Sequence, residues 1–167
     1  MLKQKIVEYP ELQLVGITAR TSNAAEFNPE TAKIGATVQQ YFQNGLSDKI
    51  PHRSKPGTTY CVYTDYENKH HGEYTYFIGE AVSETNELPE GFSTCVIPKQ
   101  FYAQHTTEPG PMPAVVINAW QRIWAMSPAE LGGERSYKAD FELYDERATS
   151  DPTHQKVVVD VCIGIDI

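Results

Sequence analysis

The run Asp140-Phe141-Glu142-Leu143-Tyr144 sets a carboxylate and a phenol two residues apart in a stretch that reads as a β-strand. Strand side chains alternate faces, so Glu142 and Tyr144 point one way while Phe141 and Leu143 point the other. If the first face lines a cavity, an anion beside aromatic walls is suited to cationic, partly apolar molecules. If it meets water, the same pattern is an ordinary half-buried strand. Candidate walls are Tyr60, Tyr74 and Tyr76 from two earlier strands, with Trp120 and Trp124 one helical turn apart further on. Plain packing competes here too, because Tyr is an ordinary strand former and paired Trp side chains fill helix-to-sheet cores. Abundance favours a site: ten Tyr, six Phe and two Trp exceed what two small cores need.

Other chemistry finds less support. Glu142 with Tyr144, or with His105, has the residue types for general acid–base hydrolysis, but no serine sits in a Gly-x-Ser-x-Gly turn. The five histidines, His52, His70, His71, His105 and His154, show no His-x-x-x-His spacing and no nearby Cys pair, so neither a metal nor a cofactor is expected. The doublet His70-His71 near Glu73 reads as a wet turn. Cys61, Cys95 and Cys162 are odd in number and lie in apolar runs, which reads as core and not as a disulfide frame.

Composition bounds the partners. A chain of 167 residues fits one domain and buries roughly 70% of its unfolded surface, enough to enclose a pocket. Fourteen Lys and Arg against 22 Asp and Glu give a formal charge of −8 with no basic block. That field disfavours direct binding to nucleic acid or to an anionic membrane and biases encounter toward cations. No stretch approaches a membrane span and the start lacks an apolar signal region, so a cytoplasmic protein is the default expectation. The acids are scattered, which weakens a protein-interaction module as the alternative. A homodimer through an edge-lying final strand is the remaining partner expectation.

The elements that must position these residues follow from periodicity. Gln13 to Thr18 reads as an opening strand. A helix is expected from Asn28-Pro29, with Asn28 as N-cap and an apolar stripe of Ile34, Val38 and Tyr41 or Phe42. Thr58–Tyr66 and Tyr74–Val82 read as a hairpin. Ser93–Ile97 and Lys99–Thr106 follow as short strands, then a helix over about Ala114–Met126, the Glu142 strand, and a last strand over Lys156–Ile165. The order is β-α-β-β twice. Sliding one half over the other brings Ile34 onto Trp120, Val38 onto Trp124 and Ile78-Gly79 near Ile163-Gly164, and with a gap the run from Tyr63 faces the run from Leu143. The expectation is an α+β fold, one domain over residues 1–167, built of duplicated modules at about 6–86 and 92–167. Pseudo-twofold symmetry would place antiparallel sheets around a central ligand cleft.

These pieces carry a resemblance. Tyr76-Phe77-Ile78-Gly79, Phe92 to Thr106 with Pro98 and Tyr102, Ala119-Trp120 to Trp124, Asp140-Phe141-Glu142-Leu143-Tyr144 and Ile163-Gly164-Ile165 together resemble the effector-binding domain of multidrug-sensing regulators of the MerR and AraC types. That domain also occurs in stand-alone gyrase-inhibitor-like proteins. The chain is most similar to free-standing members, including those on mobile gene cassettes. The resemblance implies a drug pocket between the halves, with a glutamate at the position of Glu142 compensating the charge of lipophilic cations. It implies aromatic ligand contacts at Trp120, Tyr144, Tyr60, Tyr74 and Phe77, to which helical spacing adds Trp124. It also leaves a protein partner open, and a hydrolytic role, which some members have acquired.

Overall fold

A computed structural model describes residues 3–167. Eight strands, β1 (Lys3–Tyr9), β2 (Leu12–Ser22), β3 (Thr59–Thr64), β4 (Glu73–Ala81), β5 (Ser93–Ile97), β6 (Gln100–Thr106), β7 (Glu134–Tyr144) and β8 (Asp160–Asp166), form one antiparallel sheet. Their order is β1-β6-β8-β7-β3-β4-β2-β5. Two helices of two to three turns cover it, α2 (Ile34–Gln43) and α3 (Ala114–Trp124); α1 (Asn23–Glu26), α4 (Pro128–Leu131) and α5 (Glu146–Thr149) are single turns.

The duplication is written into the pairing. Matching β1 with β5, β2 with β6, β3 with β7 and β4 with β8 makes the strand order read the same from either end. The halves also exchange strands: β1 precedes the first module but pairs with β6 of the second, and β5 pairs back with β2. Two expectations are corrected. The two sheets are one continuous sheet, because β3 and β7 hydrogen-bond at the seam. The final strand is not an edge: β8 lies between β6 and β7, and six of its seven residues are buried. Its apolar run is what a strand covered on both faces requires. The edges are β1 and β5, and β1, with Lys3, Lys5 and Glu8, carries the charge typical of an edge.

α2 begins six residues after the Asn28 cap read from the sequence. Asn28 Oδ1 instead accepts from the Glu30 N–H at 3.0 Å in a local turn. The Glu26 carboxylate takes the first free donors of α2, from Lys33 N–H at 2.8 Å and Ile34 N–H at 3.2 Å. The capping chemistry is present but spent on the link between α1 and α2.

Directly opposed residues share a face, so Gln4, His105, Val161, Glu142, Cys61, Ile78 and Ile17 form one row across the sheet. α2 packs on one end of this face through Ile34, Val38 and Tyr41, against Ile17, Cys61 and Ile78. α3 packs on the other end through Ala119, Trp120 and Ile123, against Val161 and Ile163. Tyr63 and Tyr144 pack against both clusters, over the seam. The opposite face has its own core of Leu14, Tyr60, Val62, Phe77, Tyr102 and Phe141. Residues from both halves meet there, so the sheet curls around that side.

Register also fixes which positions are equivalent. Cys61 opposes Ile78, and Asp140 opposes Ile163. Taking Ile78-Gly79 as the counterpart of Ile163-Gly164, the counterpart of Tyr63 is Glu142 and not Leu143. The one-residue slip moves the match onto the other face of the sheet.

Candidate functional site

Glu142 sits at the seam, beneath α3, and is 4% exposed. Three neutral donors hold its carboxylate. Tyr63 donates its hydroxyl to Oε2 at 2.7 Å, Trp120 donates Nε1–H to Oε2 at 2.7 Å, and Tyr144 donates its hydroxyl to Oε1 at 2.5 Å. Each comes from a different element: β3 across the seam, the covering helix α3, and β7 itself two residues on. Burial, and then the charge of Glu142, push the Tyr63 and Tyr144 phenols well above their ordinary pKa, so both stay protonated as donors. None of the ion pairs among the described residues includes Glu142.

The contrast with Asp140 is direct. It is also buried, on the same face two residues earlier, but Arg135 Nη2 bonds it at 2.7 Å, the Tyr66 hydroxyl at 2.6 Å and the Gly164 N–H at 2.9 Å. Asp140 has its cation and braces the irregular pairing between Arg135 and Asp140 in β7. Glu142 has hydrogen bonds only. A buried carboxylate so held is satisfied, yet its charge is uncompensated.

Aromatic rings surround it. Tyr63 lies edge-on to Trp120 with centroids 5.2 Å apart, and its ring meets Tyr76 at 5.4 Å and Tyr74 at 5.9 Å. Trp120 meets Trp124 at 5.9 Å, and Trp124 is 56% exposed. Of the residues expected from sequence, Trp120 and Tyr144 touch Glu142, while Tyr74 and Trp124 stand one ring further out. Tyr60 and Phe77 are corrected: both lie on the opposite face. Tyr60 opposes Leu143, and Phe77 opposes Val62, itself opposite Phe141. Tyr60 packs on Phe141 with ring centroids 5.9 Å apart. Tyr63 takes the place given to Tyr60 and Phe77, beside Tyr76, a wall already expected from sequence. The signal for Tyr63 lies in the pairing of Cys61 with Glu142, which fixes the face and which a single strand's alternation does not contain.

His105 shares the Glu142 row but stands two strands away with Val161 between, and its Nε2 meets Gln4 Oε1 at 3.0 Å. It does not reach the carboxylate. Outside the aromatic layer lies a cleft of about 470 Å³, walled by Phe27, Ile123, Trp124 and Met126 on its apolar side and by Lys69, His70, Arg135 and Tyr137 on its polar side. Glu142 is not part of its lining; Trp120 bonds Glu142 and meets Trp124, which lines the cleft.

Comparison with known proteins agrees with this architecture. The profile of the family described as integron-associated effector binding protein matches residues 5–165. YobU of Bacillus subtilis is 28% identical over 153 residues, covering 92% of this chain and 91% of its own. An integron cassette protein from the mobile metagenome of Vibrio cholerae superposes with a TM-score of 0.77 at 26% identity, over 98% of this chain and 95% of that one. SAV2435, solved bound to tetraphenylphosphonium, superposes with a TM-score of 0.76 over 98% of this chain and 94% of that one. At 15% identity that last likeness is one of fold.

Proposed function

The chain belongs to the integron-associated effector-binding family, and from that premise we propose that it binds lipophilic, aromatic organic cations, with Glu142 compensating their charge. The observation that carries the reading is a carboxylate 4% exposed, held by three neutral donors and by no cation. In a medium of reduced dielectric such a group gains strongly from a positive guest, while hydroxyls and an indole suffice to hold it when no guest is present. Rings of Tyr63, Tyr76, Tyr144 and Trp120 offer π faces, each contact contributing roughly 0.5–2 kcal/mol according to desolvation. Buried ligand surface adds about 25 cal/mol per Å² before ordering costs. Few of these terms need a fixed geometry, so affinities near micromolar across varied shapes are expected.

Entry requires the aromatic layer between the cleft and Glu142 to part. Trp124 at the cleft and Trp120 on the carboxylate are the side chains in the way, and rotamer changes suffice for such a step. The net charge of −8 supports cations over nucleic acid as direct partners. Among the described residues no helix is long and apolar enough to cross a membrane.

Tetraphenylphosphonium, the cation bound to SAV2435, is the first probe. Because Trp120 bonds Glu142, a guest at the carboxylate must change indole fluorescence. Titration should give saturable quenching, and Glu142→Gln should weaken binding roughly ten- to hundredfold. A neutral molecule of the same size should discriminate little between the two proteins. Equal affinity of wild type and Glu142→Gln for the cation would end this reading.

A further inference from the structure

The outer cleft presents cationic groups that the Glu142 site lacks: Lys69, and Arg135 already paired with Asp140. Its charged lining is Lys69 and Arg135 against the single acid Glu134, in a chain with 22 acids and 14 bases. Lys69 takes part in none of the ion pairs among the described residues. Arg135 is fixed in place: it bonds Asp140, its guanidinium carbon lies 4.4 Å from the centre of the Tyr137 ring, and its Nε has no acceptor. His70 stacks on His71 at 3.8 Å. Its imidazole lies below its ordinary pKa, through burial first and then through His71, Arg135 and Lys69. The opposite wall is apolar, and Phe27 presents its ring to solvent at 83% exposure.

The spacing between the two poles follows from register. Arg135 opposes Ile165 and Glu142 opposes Val161, four residues apart on β8, or about 13 Å along the strand. Arg135 reaches Asp140, two residues from Glu142 on the same strand, so the two poles lie within the span of one drug-sized molecule. The cleft volume of about 470 Å³ lies within the range that holds such a molecule.

We propose that the cleft is an outer subsite for an anionic group on the same ligand, so that the protein takes amphoteric aromatic molecules: a lipophilic cation at Glu142 and a carboxylate on the order of 10 Å away. The proposal rests on the Glu142 reading and narrows its ligand class. The chain's overall charge works against it, since a field of −8 favours a net cation over a zwitterion at long range. A preference for the zwitterion must therefore come from local contacts.

Three phosphonium probes separate the possibilities: tetraphenylphosphonium, a triphenylphosphonium bearing an ω-carboxyalkyl arm, and the methyl ester of that acid. The acid should bind wild type roughly three- to tenfold tighter than its ester, and Lys69→Glu should erase or reverse that preference. Glu142→Gln should weaken all three. If tetraphenylphosphonium and the ester bind but the acid gains nothing, or if its gain survives Lys69→Glu, the outer subsite is overturned while the cation site stands. If none of the three binds saturably, the Glu142 reading falls and takes this one with it.

Discussion

Tyr144 and Tyr63 hold the Glu142 carboxylate in the absence of a guest, and their loss should separate stability from binding. Tyr144→Phe keeps the ring but leaves Oε1 without its donor at 2.5 Å. A hydrogen bond to a buried charge is worth about 1.5–3 kcal/mol, so the variant should unfold at lower urea by that amount. The same change leaves the anion less satisfied, so tetraphenylphosphonium should bind at least as tightly as to wild type, the reverse of Glu142→Gln. Equilibrium unfolding and fluorescence titration on one preparation test both halves of this expectation. At this scale the sequence carried the local part of the site. Glu142 and Tyr144 follow from alternation within one strand, and Trp120 from helical spacing. Tyr63 did not follow, because it reaches the carboxylate across a strand pairing that neither strand encodes alone. Tyr60 and Phe77 fall on the opposite face, opposing Leu143 and Val62.

Within the elements, Gly16 and Gly79 are directly opposed in the pairing of β2 with β4. A Cβ at Gly16 would lie 2.0 Å from the Ile78 carbonyl oxygen, and one at Gly79 would lie 2.2 Å from that of Val15. Backbone cannot yield there as a side-chain tip would. Gly16→Ala should cost about 3 kcal/mol or more, seen as a lower urea midpoint, because the strands must separate to admit the methyl group. A second element-level expectation concerns the loop before β8. Asp151 accepts from the Thr153 hydroxyl and N–H and from the N–H groups of Gln155 and Lys156, and these bonds bring its carboxyl from 3.8 down to about 2. A carboxyl lowered by folding contributes order that is present above its ordinary value and is lost as pH falls through the folded one. Amide exchange in this loop should therefore accelerate as pH drops from about 4 to about 2, beyond the intrinsic change and in advance of the amides of β8. β1 is absent from the strands expected from sequence, but half of the longer elements were readable, since Ser93–Ile97 matches and β3, β4, β6 and α3 shift by only one or two residues at an end. The start of α2 was not, because its cap comes from Glu26, seven residues away in sequence from Lys33. The last strand begins at Asp160 and not at Lys156 because the apolar residues before it, Val157 and Val159, pair with the Thr107–Gly110 segment outside the ladder.

For the whole molecule, the repeat of β-α-β-β was legible while the exchange of β1 and β5 was not. β5 is among the strands expected from sequence and β1 is not, but which partner either edge strand chooses is a long-range matter. The exchange predicts how the chain divides. Cut between β4 and β5, the first fragment holds β1, which pairs with β6, and the second holds β5, which pairs with β2. Each fragment alone should lack native circular dichroism, and mixing equal amounts should restore both the spectrum and quenching by tetraphenylphosphonium. Independent folding of either fragment would contradict this account. The seam has a further consequence. Tyr63 and Glu142 occupy matching places on either side of the pseudo-axis, so a doubled scaffold offers a neutral ring from one side and an anion from the other. Had both sides kept an acid, like charges would have faced each other and each would have resisted ionising. Broken likeness between near-copies thus gives the seam a head and a tail, and under the proposed function a guest would have to arrive the right way round.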